Sequence, residues 1–516
     1  MKTRIALTIS FACYFFISLP AQKHDYNWIF GSFTYPDGEF NNDTGNTLNF
    51  NGDSVHLGLF EKYNEIEHYS TVYSDVSGDL RFWSNGCEIF TAESQIMQGG
   101  DTLNPGLIYE TFCNQGEGFS YIGAHQSMLS LPDIEHERYV YVFHNLVPWN
   151  SNLDPYEMRY SLIDIEANGG LGAVIKKGIP LVSNVTSGLM TAVKSADLKS
   201  WWVVAHEIDS ENHFIFQLTS DSIIGPKINN EDISVSRNNH SESASAFSPN
   251  GDKYAIFGEA DGLRIFDFDR ELGELSNFQF FPPPADFEGG WVGLDFSASG
   301  RFLYTCHWRK IYQYDMWAED IGASRVTVAD WIEHQDPIVN VPTMFFKMQR
   351  APDCRIYLCA RNRTQTMHVI HHPDRKGEAC MVQQNIIIPA QSTMTLPNFP
   401  NYRLGTGAVC DSSKIFPMSL LSTSITNSNS AESNYGINVF PNPSTGNINF
   451  AFSQIVEGSL HITLSNIAGT KVFQQKLAGD IDSIQLDLSF LPKGMYFYSL
   501  WHKNKIVKSD KIILIE

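Results

Sequence analysis

Helix-period segments are nearly absent from this chain of 516 residues. Apolar and polar residues instead alternate in short runs bounded by Gly, Pro, Asn and Asp. That pattern excludes a helical bundle and points to strands joined by tight turns. Also missing are a Gly-rich phosphate loop, a dinucleotide fingerprint and a Gly-x-Ser-x-Gly elbow, which removes the common nucleotide and serine-hydrolase signatures. Beyond the first twenty residues no apolar stretch approaches the length that spans a bilayer as a helix. Positive charge is scarce: 36 Lys and Arg face 57 Asp and Glu, a formal net charge of −21. Such a surface repels nucleic acid and anionic lipid, which both need cations to displace their counterions. It favours solubility. Cysteines are few, eight in all.

At the N-terminus, Lys2 and Arg4 precede an apolar run from Ile5 to Leu19, then Pro20-Ala21-Gln22. A short positive region, a short apolar core and a small residue near its end are expected of a secretory signal peptide over residues 1–22. Cys13 lies inside that run and is lost with it, leaving seven cysteines. An exported chain meets an oxidising compartment, so disulfides are expected. The spacing suggests Cys87 with Cys113 and Cys359 with Cys380. Cys306, Cys354 and Cys410 remain, connectivity stays open, and the odd count leaves at least one free thiol.

Residues 25–411 repeat a unit: a strand, a short Asp/Gly turn and a second apolar strand. Clear copies are Ala246 to Tyr254, Asp295 to Tyr304 and Arg350 to Tyr357. Looser ones start at Tyr73, Ser130 and Lys194. Third strands such as Leu263 to Phe268 and Lys310 to Asp315 follow, and then a more polar fourth. Four antiparallel strands repeated at this period predict an all-β β-propeller. Seven blades are expected, with six as the alternative. The seventh would be composite, pairing Asn27–Phe30 and Thr47–Phe50 with Asn401–Leu404, because closure removes exposed sheet edges. Residues 412–433 are Ser/Asn-rich and aperiodic, and are read as a flexible linker.

The C-terminal segment, 434–516, carries ordered motifs. Pro441, Asn442 and Pro443 lead to a turn glycine, Gly446. Gly469 and Gly494 mark later turns, Tyr496 follows, and Lys508 and Lys511 lie in a closing basic strand. About seven short alternating strands predict a small Ig-like antiparallel β-sandwich. The motif series resembles the type A C-terminal sorting domain of the type IX secretion system of Bacteroidetes. The resemblance implies handling by the type IX secretion machinery, passage across the outer membrane to the cell surface or the medium, and removal of the tail during export. The central region is similar to Bacteroidetes surface proteins with WD-repeat-like propellers. Shared segments include Phe82-Trp83-Ser84-Asn85-Gly86-Cys87 and Leu396 to Gly405. That similarity implies a fold and no activity.

Loops entering the innermost strands, and those joining second to third strands, would carry function on such a scaffold. They contain His125, His206, Glu207, Glu242, Glu259, His307, Arg309 and Arg361. Convergence of these around the channel mouth would suit a divalent cation or an acid/base pair, and so a metal-assisted hydrolase or lyase. With no recognisable catalytic or metal constellation, the first expectation is a module that binds a surface glycan or protein, without cofactor.

Overall fold

The computed structural model describes residues 22–516 apart from 32–43, 62–65, 67–68, 115–119, 149–155, 187, 231–242, 259–261, 287–289, 291, 337–339, 388, 390–392, 406–409, 415, 417–436, 457–459, 467–470, 478–480, 503–504 and 516. The signal peptide, most of the linker, and Glu242, Glu259 and Gly469 therefore lie outside the described residues. The chain forms two compact units that divide after Thr423.

The larger unit contains seven antiparallel sheets among the described residues. Their innermost strands are Asn27–Phe30, Thr71–Ser74, Met128–Pro132, Thr191–Lys194, Ala244–Phe247, Gly293–Phe296 and Phe345–Arg350. The first two sheets have three strands and the other five have four. All six sequence repeats fall on the turn from first to second strand in sheets two to seven. Their shared chemistry explains this. In the fifth sheet Ser248 Oγ bonds the Asp252 carboxylate at 2.8 Å and accepts the Lys253 N–H at 3.0 Å. Gly251 adopts φ 77° there, and a Cβ would lie 2.5 Å from Val193.

Innermost strands of several neighbouring sheets lie side by side, giving a propeller-like ring. Large rings fill the gaps. Trp201 and Trp202 are consecutive and diverge: the first donates to the Pro132 carbonyl of sheet three, the second to the Arg270 carbonyl at the edge of sheet five. Outer strands carry Lys176, Lys177 and Pro180 in sheet three and Pro226 in sheet four, residues that blunt exposed edges.

The expected composite sheet does not form. Asn27–Phe30 pairs with Thr44–Asn49, which pairs with His56–Glu61. Asn401–Leu404 is a turn, not a strand. Local bonds give the physical reason: the N–H groups of Tyr402, Arg403 and Leu404 are taken by Pro400 and Asn401, and Pro400 just before them has no N–H to donate to a ladder. Sheets one and seven meet through rings instead, Trp28 on Tyr357 at 5.5 Å and Phe50 on Tyr357 at 5.9 Å.

The cysteines need one correction. Cys87–Cys113 forms, but the second bond is Cys354–Cys410, not Cys359–Cys380. Cys359 sits mid-strand in one apolar cluster and Cys380 in another, both fully buried. Cys380 ends a short 3-10 helix, Gly377–Cys380, outside the strand ladder, and faces a different cluster from Cys359. Cys306 is buried and free as well.

The smaller unit packs a three-stranded sheet against a four-stranded one. Ile448 and Phe450 of one meet Ile462, Leu464, Tyr498 and Leu500 of the other in a single core. The motif residues brace this unit. Asn442 Nδ2 donates to the Lys511 carbonyl at 2.8 Å, and its Oδ1 accepts the Ile513 N–H at 2.9 Å. Pro441 and Pro443 flank that asparagine. Gly446, at φ 145°, lets Ser489 approach, where a Cβ would come within 2.8 Å. Gly494 has φ 147°, and the Tyr496 hydroxyl donates to the Pro492 carbonyl at 2.7 Å. Lys508 lies opposite Leu500 in the final strand.

Candidate functional site

The axis of the ring is occupied by the chain itself. Asn398 Nδ2 donates to the carbonyls of Met128 and Met190, at sheets three and four, both at 3.0 Å. Gln126 donates to Asn398 Oδ1 at 3.3 Å and to the Ser245 carbonyl of sheet five at 2.8 Å. The Phe399 N–H donates to Gln349 of sheet seven at 3.3 Å. Asn401 reaches the Pro249 carbonyl at 2.7 Å, and the Tyr402 hydroxyl reaches that of Ser130 at 2.6 Å. Arg403 then pairs through both terminal nitrogens with Asp25, just before sheet one. Six residues, extended, span only about 20 Å. A segment that short can touch sheets three, four, five and seven and the lead-in to sheet one only from the centre of the ring.

What remains on the axis is a polar cavity of about 30 Å³. Its lining includes Asp25, Gln126, Asp295, Arg350, Asn398 and Arg403. Small-molecule sites run to roughly 300–1,000 Å³, so this space suits a few waters and not a sugar. Asp295 accepts N–H bonds from Phe296 and Arg350. Burial pushes its carboxyl above the usual range, opposed by the Arg350 guanidinium.

The residues expected at the channel mouth are placed as follows. His206 is fully buried and packs edge-to-face on His213, its register partner in sheet four, with centroids 3.9 Å apart. Glu207 accepts from Asn212 at 2.6 Å and closes the same hairpin. His125 is buried between sheets three and four. His307 is buried, its Nε2 3.2 Å from the Tyr312 hydroxyl, which donates to Asp286. Arg361 stacks on Trp308 at 4.1 Å and Arg309 on Trp331 at 5.6 Å. The structure thus gathers His307, Arg309 and Arg361 near the junction of sheets six and seven, and holds His206 and Glu207 in sheet four. No group of three or more His, Cys, Asp or Glu suited to a metal occurs among the described residues.

Sequence reasoning missed Asp25, Asn398 and Arg403. The signal for the last two was the Pro397 and Pro400 pair, which argued against a strand in the segment that became the axial strap.

Three buried histidines are held neutral. Burial lowers His24 to about 4, and His144 and His368 to about 3, from an ordinary 6.5. The unfolded chain therefore takes up protons that the native chain refuses as pH falls below 6.5. Stability is full above that value and is lost progressively towards pH 3–4. Between pH 7 and pH 5 each such histidine costs about 2 kcal/mol. Urea midpoints measured across that range should fall steeply, and a flat profile would contradict neutral burial.

Residues 438–516 match the family described as the secretion system C-terminal sorting domain. No curated protein matches the chain in sequence. Solved structures similar to it include the Dos1 propeller, at 10% identity over 66% of this chain and 91% of that one, with a TM-score of 0.31. A gluconolactonase from Xanthomonas campestris shows 11% identity over 67% and 97%, with a TM-score of 0.27. A structural-genomics protein of unknown function from Bacteroides thetaiotaomicron shows 8% over 72% and 84%, at 0.30. Likenesses this distant say nothing of activity. Fold and tail together define a secreted, all-β protein with a propeller-like body and a sorting domain that supports export across the outer membrane. No helix among the described residues is long and apolar enough to cross a membrane.

Proposed function

We propose that this is a seven-bladed β-propeller, exported behind a signal peptide and addressed by an Ig-like type IX sorting domain, that binds a surface glycan or protein. The filled axis carries this reading. With residues 398–403 in the channel, and a cavity of about 30 Å³ left, the faces and rim remain for recognition. It also leaves little room on the axis itself for metal-assisted chemistry.

A candidate contact surface lies at sheets six and seven, where Trp308 stacks with Arg361 and Trp331 with Arg309. Ile332 beside them is 62% exposed. Trp and Arg anchors dominate binding energy at protein interfaces, and the flat aromatic face also suits sugar rings. The purified protein should capture a glycan or surface protein in array and pull-down experiments, with or without calcium. Trp331→Ala should weaken that capture at least roughly tenfold. Absence of any ligand in both formats, or full binding by Trp331→Ala, would count against the reading.

A further inference from the structure

The strap continues past Arg403 to a latch. Cys410 is bonded to Cys354 in the first turn of sheet seven, and the Asp411 N–H donates to the Pro352 carbonyl at 2.8 Å. Lys414 Nζ then donates to the Gly52 carbonyl of sheet one at 2.7 Å, and its own carbonyl accepts from Arg355 of sheet seven at 3.2 Å. Phe416 lies against Tyr357 and His371 of sheet seven. Among the described residues, the seam between the first and last sheets is thus bridged by rings and by the strap, and no backbone ladder joins those two sheets.

From this we infer that Cys354–Cys410 is a redox latch: oxidation pins the strap and shuts the ring, and reduction lets the strap withdraw and opens the seam and axial cavity. Both half-cystines are partly exposed, whereas Cys87 of the other disulfide is fully buried. A small dithiol can therefore attack either sulfur of the latch, but only the partly buried Cys113 sulfur of the other bond. One of its thiolates attacks a latch sulfur and breaks the protein S–S bond, forming a mixed disulfide. Its second thiol then displaces the remaining protein thiolate. Two electrons and two protons pass to the cysteine pair, and the reductant ends as a cyclic disulfide. The loop closed by this bond spans 56 residues, so its release frees much chain entropy. The three other thiols stay out of the exchange. Cys306, Cys359 and Cys380 are buried, and burial raises Cys359 to about 12 and Cys380 to about 11.

The experiment uses the full chain, graded dithiothreitol, iodoacetamide trapping and a trypsin pulse read by mass spectrometry. The Arg403–Leu404 bond is the reporter, because Arg403 is buried against Asp25 while the strap is seated. Cys354 and Cys410 should be alkylated before Cys87 and Cys113, and cleavage after Arg403 should rise roughly a hundredfold with them. Reoxidation should restore protection. Alkylation of Cys354 and Cys410 with Arg403 still protected would overturn the latch, as would cleavage that tracks loss of Cys87–Cys113. Cys354→Ser with Cys410→Ser should show the cleavage without reductant, and the wild-type titration decides the matter should that variant not fold.

Discussion

Arg403→Met is expected to destabilise the larger unit by about 3–5 kcal/mol, the cost of leaving one partner of a buried ion pair alone. Arg403 is 3% exposed and Asp25 is 2% exposed, and the guanidinium meets both carboxylate oxygens. Without it the Asp25 carboxylate remains in the interior with its charge uncompensated. It must then be protonated or dragged into water, and either route loosens the residues ahead of the first sheet. Asp25→Leu combined with Arg403→Met should recover most of the loss, since replacing a whole buried pair by apolar groups is often neutral. Guanidinium unfolding of the three proteins, followed through the transition of the larger unit, measures this. An unchanged midpoint for Arg403→Met would mean that the strap does not hold the ring.

The prediction turns on a contact between residues 378 positions apart, and that separation explains what the sequence made legible. Six turns could be read because their bonds are local: Ser248 to Asp252 spans four residues, and the chemistry repeats wherever the turn does. Cys87–Cys113 was legible for a similar reason, being the two cysteines that flank one loop. The strap was not. Asn401 finds its partner 152 residues away, and Asn398 finds partners 270 and 208 residues away, so nothing in the local pattern marks them. Cys354 and Cys410 were set aside because only the strap brings them together.

The candidate site shows the same division. His206 was expected in a loop facing the channel mouth, whereas it ends the second strand of sheet four and its ring turns onto His213. Period-two alternation predicts which face a residue occupies only when the strand's start is fixed, and a one-residue slip reverses it. Arg309 and Arg361 were legible as loop residues. Which tryptophan each would meet was not, since each stack joins separate loops.

The second large effect concerns the address. Asn442, Gly446 and the last strand hold one another within the smaller unit, and the family match falls on that unit alone. Deleting residues 435–516 should therefore leave the ring folded with both disulfides formed, while abolishing export. Normal disulfide formation separates this outcome from a folding failure. The decisive measurement is fractionation of cells that possess a type IX machinery and produce either the full chain or the truncated one. The full chain should be found at the surface or in the medium, and the truncated chain folded but retained in the periplasm. Surface display of the truncated chain at the full-length level would contradict it.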